Sequence, residues 1–229
     1  YTSSRQAELD NPYGISKKKA EDSLLNYSKK NNVPVFIYRL PNVFGKWAKP
    51  NYNSVVATFC CNIAHNLPIS ISNPKTTLSM IYIDDLMQSF FKLLNSHNTV
   101  KEPYINIFPE YQITLQELAE KINKFKESRT SLISETVGKS LNRALHSTYL
   151  SYLPVSQFSY ELKTHSDDRG IFVEMLKTKN SGQFSFFTAN PGVTRGGHYH
   201  HTKTEKFLVI SGKARFQFKH ILTNERYEL

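Results

Sequence analysis

Between Gly192 and Gly212, His198 and His200 stand one residue apart, Glu205 follows, and glycines bracket the run. In a β-strand successive side chains alternate between faces, so His198 and His200 point one way and Tyr199 and His201 the other. Two imidazoles on one face, joined by a carboxylate from the next strand, can chelate a divalent metal. The pattern asks for paired strands around a small polar centre.

Strand patterning extends around this motif. Residues 170–176, 183–187, 205–210 and 214–218 are short alternating or apolar segments, and Ser211-Gly212-Lys213 supplies a tight hairpin turn between the last two. The earlier part of the chain reads differently. Residues 12–31 form an amphipathic helix pattern with Ile15, Ala20, Leu24 and Tyr27 at helical spacing. A buried strand over 35–40, a helix over 54–65, a strand over 78–83, a helix from Asp84 to about residue 94 and a strand over 104–108 follow. Thr114-Leu-Gln-Glu117 is a capping box that starts another helix. Residues 128–152 are polar and less regular, ending at Leu153-Pro154. The expectation is therefore an α/β domain over 1–153 and an all-β domain over 154–229. There is no internal repeat and no low-complexity segment.

Tyr13 and Lys17 lie one helical turn apart on one face. A nearby cation favours phenolate, and such a tyrosine can give or take a proton at a carbonyl undergoing reduction. Ser3-Ser4 lies just upstream, within reach of the same oxygen in a βα unit. The runs Ser3-Ser4-Arg5-Gln6-Ala7, Asn11-Pro12-Tyr13-Gly14-Ile15-Ser16-Lys17, Arg39-Leu40-Pro41-Asn42-Val43-Phe44-Gly45 and Ile81-Tyr82-Ile83-Asp84-Asp85 together resemble the extended short-chain dehydrogenase/reductase family over about residues 1–125. The resemblance implies a partial Rossmann-type domain. It makes Tyr13 the general acid, Lys17 the partner that lowers its pKa and holds the nicotinamide ribose, and Ser4 the orienting hydroxyl. It gives Asn42 contact with the sugar-nucleotide diphosphate, and the 49–53 loop a place in the substrate wall. No G-x-x-G-x-x-G turn is present, so neither the pyrophosphate site nor a choice between NADP and NAD can be read. Dehydratases of the family carry an Asp-Glu pair after the catalytic hydroxyl residue. Arg5 and Gln6 stand there instead, which favours reduction or epimerisation.

Gly192–Gly212 fits the first cupin motif, G-x5-H-x-H-x4-E-x6-G. That resemblance implies a partial jelly roll and metal ligation by His198, His200 and Glu205, with zinc favoured among the divalent ions. The usual fourth ligand is a histidine from a second motif; His220 precedes its expected position and is not assigned, and His201 should face away from the metal. The Asp-x-Arg-Gly-x-Phe-x-Glu run at 167–174 and Thr194-Arg195-Gly196 resemble the keto-sugar 3,5-epimerases of deoxysugar synthesis. This implies Arg169, Glu174 and Arg195 in the substrate site, with the arginines on the diphosphate. The histidine that acts as base in metal-free epimerases is the one the cupin motif makes a ligand, His198, so the base stays open.

The two halves together resemble the bifunctional reductase–epimerases of capsular-polysaccharide synthesis. That resemblance implies C3 epimerisation of a UDP-4-keto-6-deoxy-HexNAc, then nicotinamide-dependent reduction at C4 toward UDP-N-acetyl-L-fucosamine, in a full-length homodimer. The alternatives are a non-catalytic cupin that binds sugar or dimerises, and an iron cupin oxygenase fusion. The 229-residue sequence begins at Tyr1 in what reads as the middle of a fold, so a fragment of a longer enzyme is expected, inactive as it stands. The net charge of +10 is that of a Lys-rich chain spread over solvated helix faces, or of one with an anionic UDP-sugar substrate. No basic block interleaves with aromatics, which argues against nucleic acid. Adjacent Cys60 and Cys61 are expected to be reduced, favouring the cytoplasm, and no apolar run is long enough for a membrane span.

Overall fold

The extended run through Pro41 changes strand partner at the proline, whose missing N–H interrupts any continuous ladder. In the computed structural model, which describes residues 1–96 and 102–229, β1 (Thr2–Ser4) pairs in parallel with β2 (Tyr38–Leu40). Beyond Pro41, β3 (Asn42–Phe44) pairs in parallel with β4 (Thr77–Tyr82), and β5 (Tyr111–Thr114) runs antiparallel to β4. Between them lie α1 (Pro12–Asn31), α2 (Val55–Ala64) and α3 (Ile83–Leu94), followed by α4 (Leu115–Ser131) and α5 (Ser140–Leu150). The α/β expectation holds for this part.

Local chemistry sets the helix ends. The Asn11 side chain accepts from Gly14 N, Pro12 occupies the first turn, and Asn32 closes α1 in the left-handed region. Ser54 caps α2, and the Thr114/Glu117 capping box is formed at α4. Helices α2, α4 and α5 enclose the larger core, with Phe44, Phe59, Leu118, Ile122, Leu145 and Tyr149 among its buried side chains. A smaller cluster sets Tyr38 and Ile81 against Leu86 of α3.

Three expectations change in this part of the chain. The 104–108 strand reduces to one parallel bridge, Tyr104 to Ile37, and the next ladder begins at Tyr111 with β5. Residues 128–152 are not irregular: α5 forms there, with Leu141, Ala144, Leu145 and Tyr149 on its packed side, a stripe diluted in the sequence by polar neighbours. On α1 the apolar row does not face the core, since Ile15 and Tyr27 are exposed. The fully buried residues of this helix are Gly14 and Glu21.

The segment after Pro154 is built of strands, apart from a 3₁₀ turn at Val155–Gln157. β6 (Thr164–Asp167), β7 (Gly170–Thr178) and β8 (Gly182–Phe187) form an antiparallel meander. Packing divides the chain later than residue 154, into units Tyr1–Thr188 and Ala189–Leu229. The meander stays with the first unit because Lys177 exchanges backbone hydrogen bonds with Leu132 and Ser134. In the second unit β9 (Gln217–Lys219) pairs with β10 (Arg226–Glu228). Its connection runs through 220–225, where His220 N donates to Glu225 O, not through Ser211–Lys213. Residues 205–210, expected as a strand, form no ladder among the described residues, and a strand needs a partner to persist. The strands therefore remain in separate two- and three-stranded sheets, short of a closed jelly roll among the described residues. Cys60 and Cys61 are free thiols, the first buried. No helix among the described residues is long and apolar enough to cross a membrane.

Glu21 joins the parallel strands to α1. With 0% of its surface exposed, its carboxylate accepts from Ser3 Oγ of β1 at 2.5 Å, from Arg39 Nη2 of β2 at 2.6 Å and from Tyr104 Oη at 3.2 Å. Burial pushes its pKa up, but the hydrogen bonds from Arg39 and Ser3, with the charge of Arg39, bring it below the ordinary 4.5. A carboxylate whose folded pKa is depressed contributes stability that is complete above its unfolded value. That contribution fades as pH falls from about 4.5 through the lower folded value. Urea midpoints measured against pH should therefore drop on this acid limb, and Glu21→Gln should flatten it. At neutral pH the substitution should cost about 3 kcal/mol, the low end for breaking a buried pair, because Arg39 keeps Glu8.

Candidate functional site

Two separate constellations carry chemistry, one in each unit. In the first, a cleft of about 560 Å³ opens beside the ends of β1 and β3, lined by Ser4, Arg5, Tyr13, Asn42, Asn53 and Ser79. Three residues expected from the sequence, Ser4, Tyr13 and Asn42, thus share one cavity.

Each arrives by a local rule. Ser4 ends β1 and caps the 3₁₀ turn Arg5–Glu8, its Oγ accepting from Gln6 N at 3.2 Å. Tyr13 projects from the first turn of α1 and is half exposed. Lys17, one turn on, brings its ammonium 5.6 Å from the centre of the Tyr13 ring and donates to Thr2 O at 3.4 Å. Asn42 opens β3 and donates to Ser79 O of β4 at 3.0 Å, leaving its own carbonyl free of that bond. Asn53 arrives from the 49–53 loop in the left-handed region, at φ 52°, a conformation asparagine tolerates.

Ser79 and Arg5 complete the wall in a way the sequence did not suggest, with Glu110 bonded to both from outside the cleft. Arg5 Nη1 donates to Ser79 Oγ at 3.1 Å, and Glu110 accepts from both Arg5 and Ser79. Burial raises the Glu110 pKa, but the bonds from Ser79 and Arg5 outweigh it and hold the carboxyl below its usual value. A serine inside the apolar β4 pattern was the available signal for Ser79; Glu110 lies 105 residues from Arg5 and had none.

In the second unit His198, His200 and Glu205 each offer a ligand atom within 4.8 Å of the others. The His198 and His200 rings lie 4.9 Å apart, and His200 Nε2 is 3.5 Å from Glu205 Oε1. Tyr199 and His201 pair edge to face with each other at 5.1 Å. Lys203 donates to Glu205 at 2.9 Å, and this bond, helped by the charges of His200 and His198, lowers the carboxyl pKa despite slight burial. Donor atoms about 2 Å from a shared zinc ion lie about 3–4 Å from one another. The three side chains form a group that could hold a metal ion, with Lys203 bonded to its carboxylate. His220 stands outside the cluster, its Nδ1 accepting from Thr223 N.

Of the expected substrate residues, Arg195 is half-buried three positions before His198. Arg169 and Glu174 belong to the first unit. Arg169 sits in the two-residue turn between β6 and β7 and holds Asp167 at 2.5 Å. Glu174, on β7, accepts from Lys177 at 3.2 Å.

Residues 1–107 match the family model described as the NAD dependent epimerase/dehydratase family, and residues 165–229 match the polysaccharide biosynthesis C-terminal domain. Along its whole length the chain is 57% identical to a UDP-2-acetamido-2,6-β-L-arabino-hexul-4-ose reductase of Pseudomonas aeruginosa, covering 61% of that protein. It superposes over its full length on the capsular polysaccharide assembling protein CapF of Staphylococcus aureus, at 42% identity, TM-score 0.92 and 62% of that chain. The chain thus spans about three-fifths of the relatives it matches. The Bordetella bronchiseptica enzyme WbmF, solved with NAD+, shares the fold at 17% identity and TM-score 0.52, over 66% of this chain and 57% of that one. The first part of the chain accordingly has a Rossmann-like α/β fold.

Gly14 lets Tyr13 sit where it does. A Cβ there would lie 2.1 Å from Gln6 O and 2.6 Å from Leu9 O, both backbone atoms. Gly14→Ala should therefore push α1 off the Arg5–Glu8 turn and destabilise the fold by about 2 kcal/mol, read as a lower midpoint in urea. An unchanged midpoint would show that the helix is not seated this closely.

Proposed function

We propose that this chain carries the catalytic part of a nicotinamide-dependent nucleotide-sugar reductase of polysaccharide synthesis, joined to a metal-holding epimerase domain. The observation that carries the reading is the meeting of Ser4, Tyr13 and Asn42 in one cleft, with Lys17 beside the Tyr13 ring. The likeness to a UDP-keto-sugar reductase over the whole chain supports a UDP-4-keto-6-deoxy-HexNAc as the substrate.

Tyr13 gives its phenolic proton to the C4 oxygen as the carbonyl becomes an alcohol. Ser4 donates a hydrogen bond to the same oxygen and orients it. Lys17 stabilises the phenolate left behind, and Asn42 steers the diphosphate. A bound NADPH or NADH supplies the hydride that the carbonyl carbon takes up. These residues hold only its nicotinamide-ribose end, since the chain has no Gly-rich turn for the pyrophosphate.

In the second unit His198, His200 and Glu205 would hold the divalent ion, with zinc best suited to this nitrogen and oxygen set. Such an ion would supply Lewis acidity toward a substrate carbonyl. Arg195 meets the diphosphate in this unit, Arg169 and Glu174 serve as substrate residues of the first unit, and the proton adjacent to the ketone, at C3, is exchanged. Epimerisation followed by reduction is chemically ordered, because inversion needs the ketone that reduction removes. The full enzyme acts in this reading as a homodimer.

Two measurements on the full-length protein test the reading. Tyr13→Phe should lower kcat for cofactor-dependent reduction by about 100-fold or more, followed by nicotinamide absorbance. Retained turnover removes Tyr13 from the chemistry. Solvent deuterium should enter C3 of the keto-sugar without any nicotinamide, and His200→Ala should abolish both that exchange and zinc retention on dialysis. Zinc binding without exchange would make the second domain a binding module, and oxygen uptake with iron would make it an oxygenase.

A further inference from the structure

Tyr13, Lys17 and Glu21 recur at four-residue intervals along α1 and so form one ridge of the helix. The ridge lies against β1: Lys17 reaches Thr2 O, and Glu21 takes the Ser3 hydroxyl. Only the first two belong to the chemistry proposed above. Among the described residues Glu21 is the one carboxylate with no exposed surface, in a position a solvated helix would fill with any polar residue.

We propose that Glu21 is a positioning residue, whose grip on Ser3 of β1 and Arg39 of β2 sets the register of α1 along the strand and so the separation of Tyr13 from Ser4. The inference rests on the reading of Tyr13 and Ser4 as the pair that meets the substrate oxygen.

The geometry gives the argument. Ser3 and Ser4 are neighbours on a strand, so fixing one side chain fixes the direction of the other. Ser3 is turned to Glu21, and Ser4 lines the cleft. Register pairs Ser3 with Arg39 across the sheet. Arg39 meets the carboxylate through Nε at 3.0 Å and Nη2 at 2.6 Å, a forked contact that resists sliding in either direction. Tyr104 Oη adds a third tie at 3.2 Å, while the Arg39 guanidinium lies over its ring at 4.5 Å. At the other end of the ridge Gly14 rests directly on the Gln6 and Leu9 carbonyls. The helix is thus held on both sides of Lys17. Release of the Glu21 end would let α1 shift along its axis and carry Tyr13 with it.

The test uses the full-length enzyme, its nicotinamide cofactor and the UDP-keto-sugar, with kcat and KM measured separately. Ser3→Ala removes one bond of the grip, leaves the Glu21–Arg39 pair and touches no substrate. Its kcat should fall about 10-fold with KM changed less than about 2-fold, and Glu21→Gln should lower kcat by up to about 100-fold, the loss expected of a small misplacement. Ser3→Thr, which restores a hydroxyl, should recover most of the Ser3→Ala loss. A folded Ser3→Ala enzyme with unchanged kcat overturns the proposal, whatever Glu21→Gln does to folding. So does a loss of kcat that Ser3→Thr leaves unrelieved, because the hydroxyl would then not be the element that counts. Tyr13→Phe separates this from the reading beneath it. If Tyr13→Phe keeps full turnover, that reading fails; if it is dead while Ser3→Ala is normal, only the positioning claim fails.

Discussion

The buried Glu21–Arg39 pair is the interaction on which the rest of the first unit depends. It joins α1, β1, β2 and the Tyr104 segment through side chains, across a backbone ladder of only a few residues. β1 and β2 are only three residues each, too short for their ladder alone to fix a helix packed on them. A buried charge left without its partners costs far more than the pair contributes when complete, so the arrangement acts as a lock. Its output is the placement of Ser4 and Tyr13 on one cleft.

The same economy appears around the cleft wall. Arg5 stands where the dehydratase pattern carries an acidic residue, and it is engaged by Ser79 and Glu110. A cation held in that place cannot serve as the acid or base of water elimination, which fits reduction better. The second unit works by a different principle. His198, His200 and Glu205 converge without a regular ladder beneath them, because a short connection between extended segments is enough to bring three side chains within 4.8 Å.

Much of this was legible in the sequence where the signal is local. The limits of α1 and α2, the capping box at Thr114 and Glu117, and the Tyr13/Lys17 spacing follow from rules acting over one or two turns. The His-x-His alternation likewise put His198 with His200, and Tyr199 with His201, although the segment is not a ladder-forming strand. What escaped depends on distant partners. Glu21 looks like any polar residue of a Lys-rich helix, and only Ser3 and Arg39 reveal its burial. The Arg5–Glu110 contact spans 105 residues. Helix α5 was hidden because its apolar stripe is sparse and is completed by α2 and α4. Residues 205–210 form no ladder despite their apolar run, since such a run signals burial only when something is available to cover it.

In the proposed reading one protein inverts a centre beside a ketone and then reduces that ketone, using Tyr13 in one unit and the His198/His200/Glu205 cluster in the other. The most direct measurement is a mass and NMR analysis of the product made by the full-length enzyme in deuterated water, with nicotinamide cofactor of ordinary hydrogen content. Deuterium should appear at C3 and ordinary hydrogen at C4. Product carrying no deuterium at C3 would contradict the reading, since reduction would then have proceeded without any epimerising step.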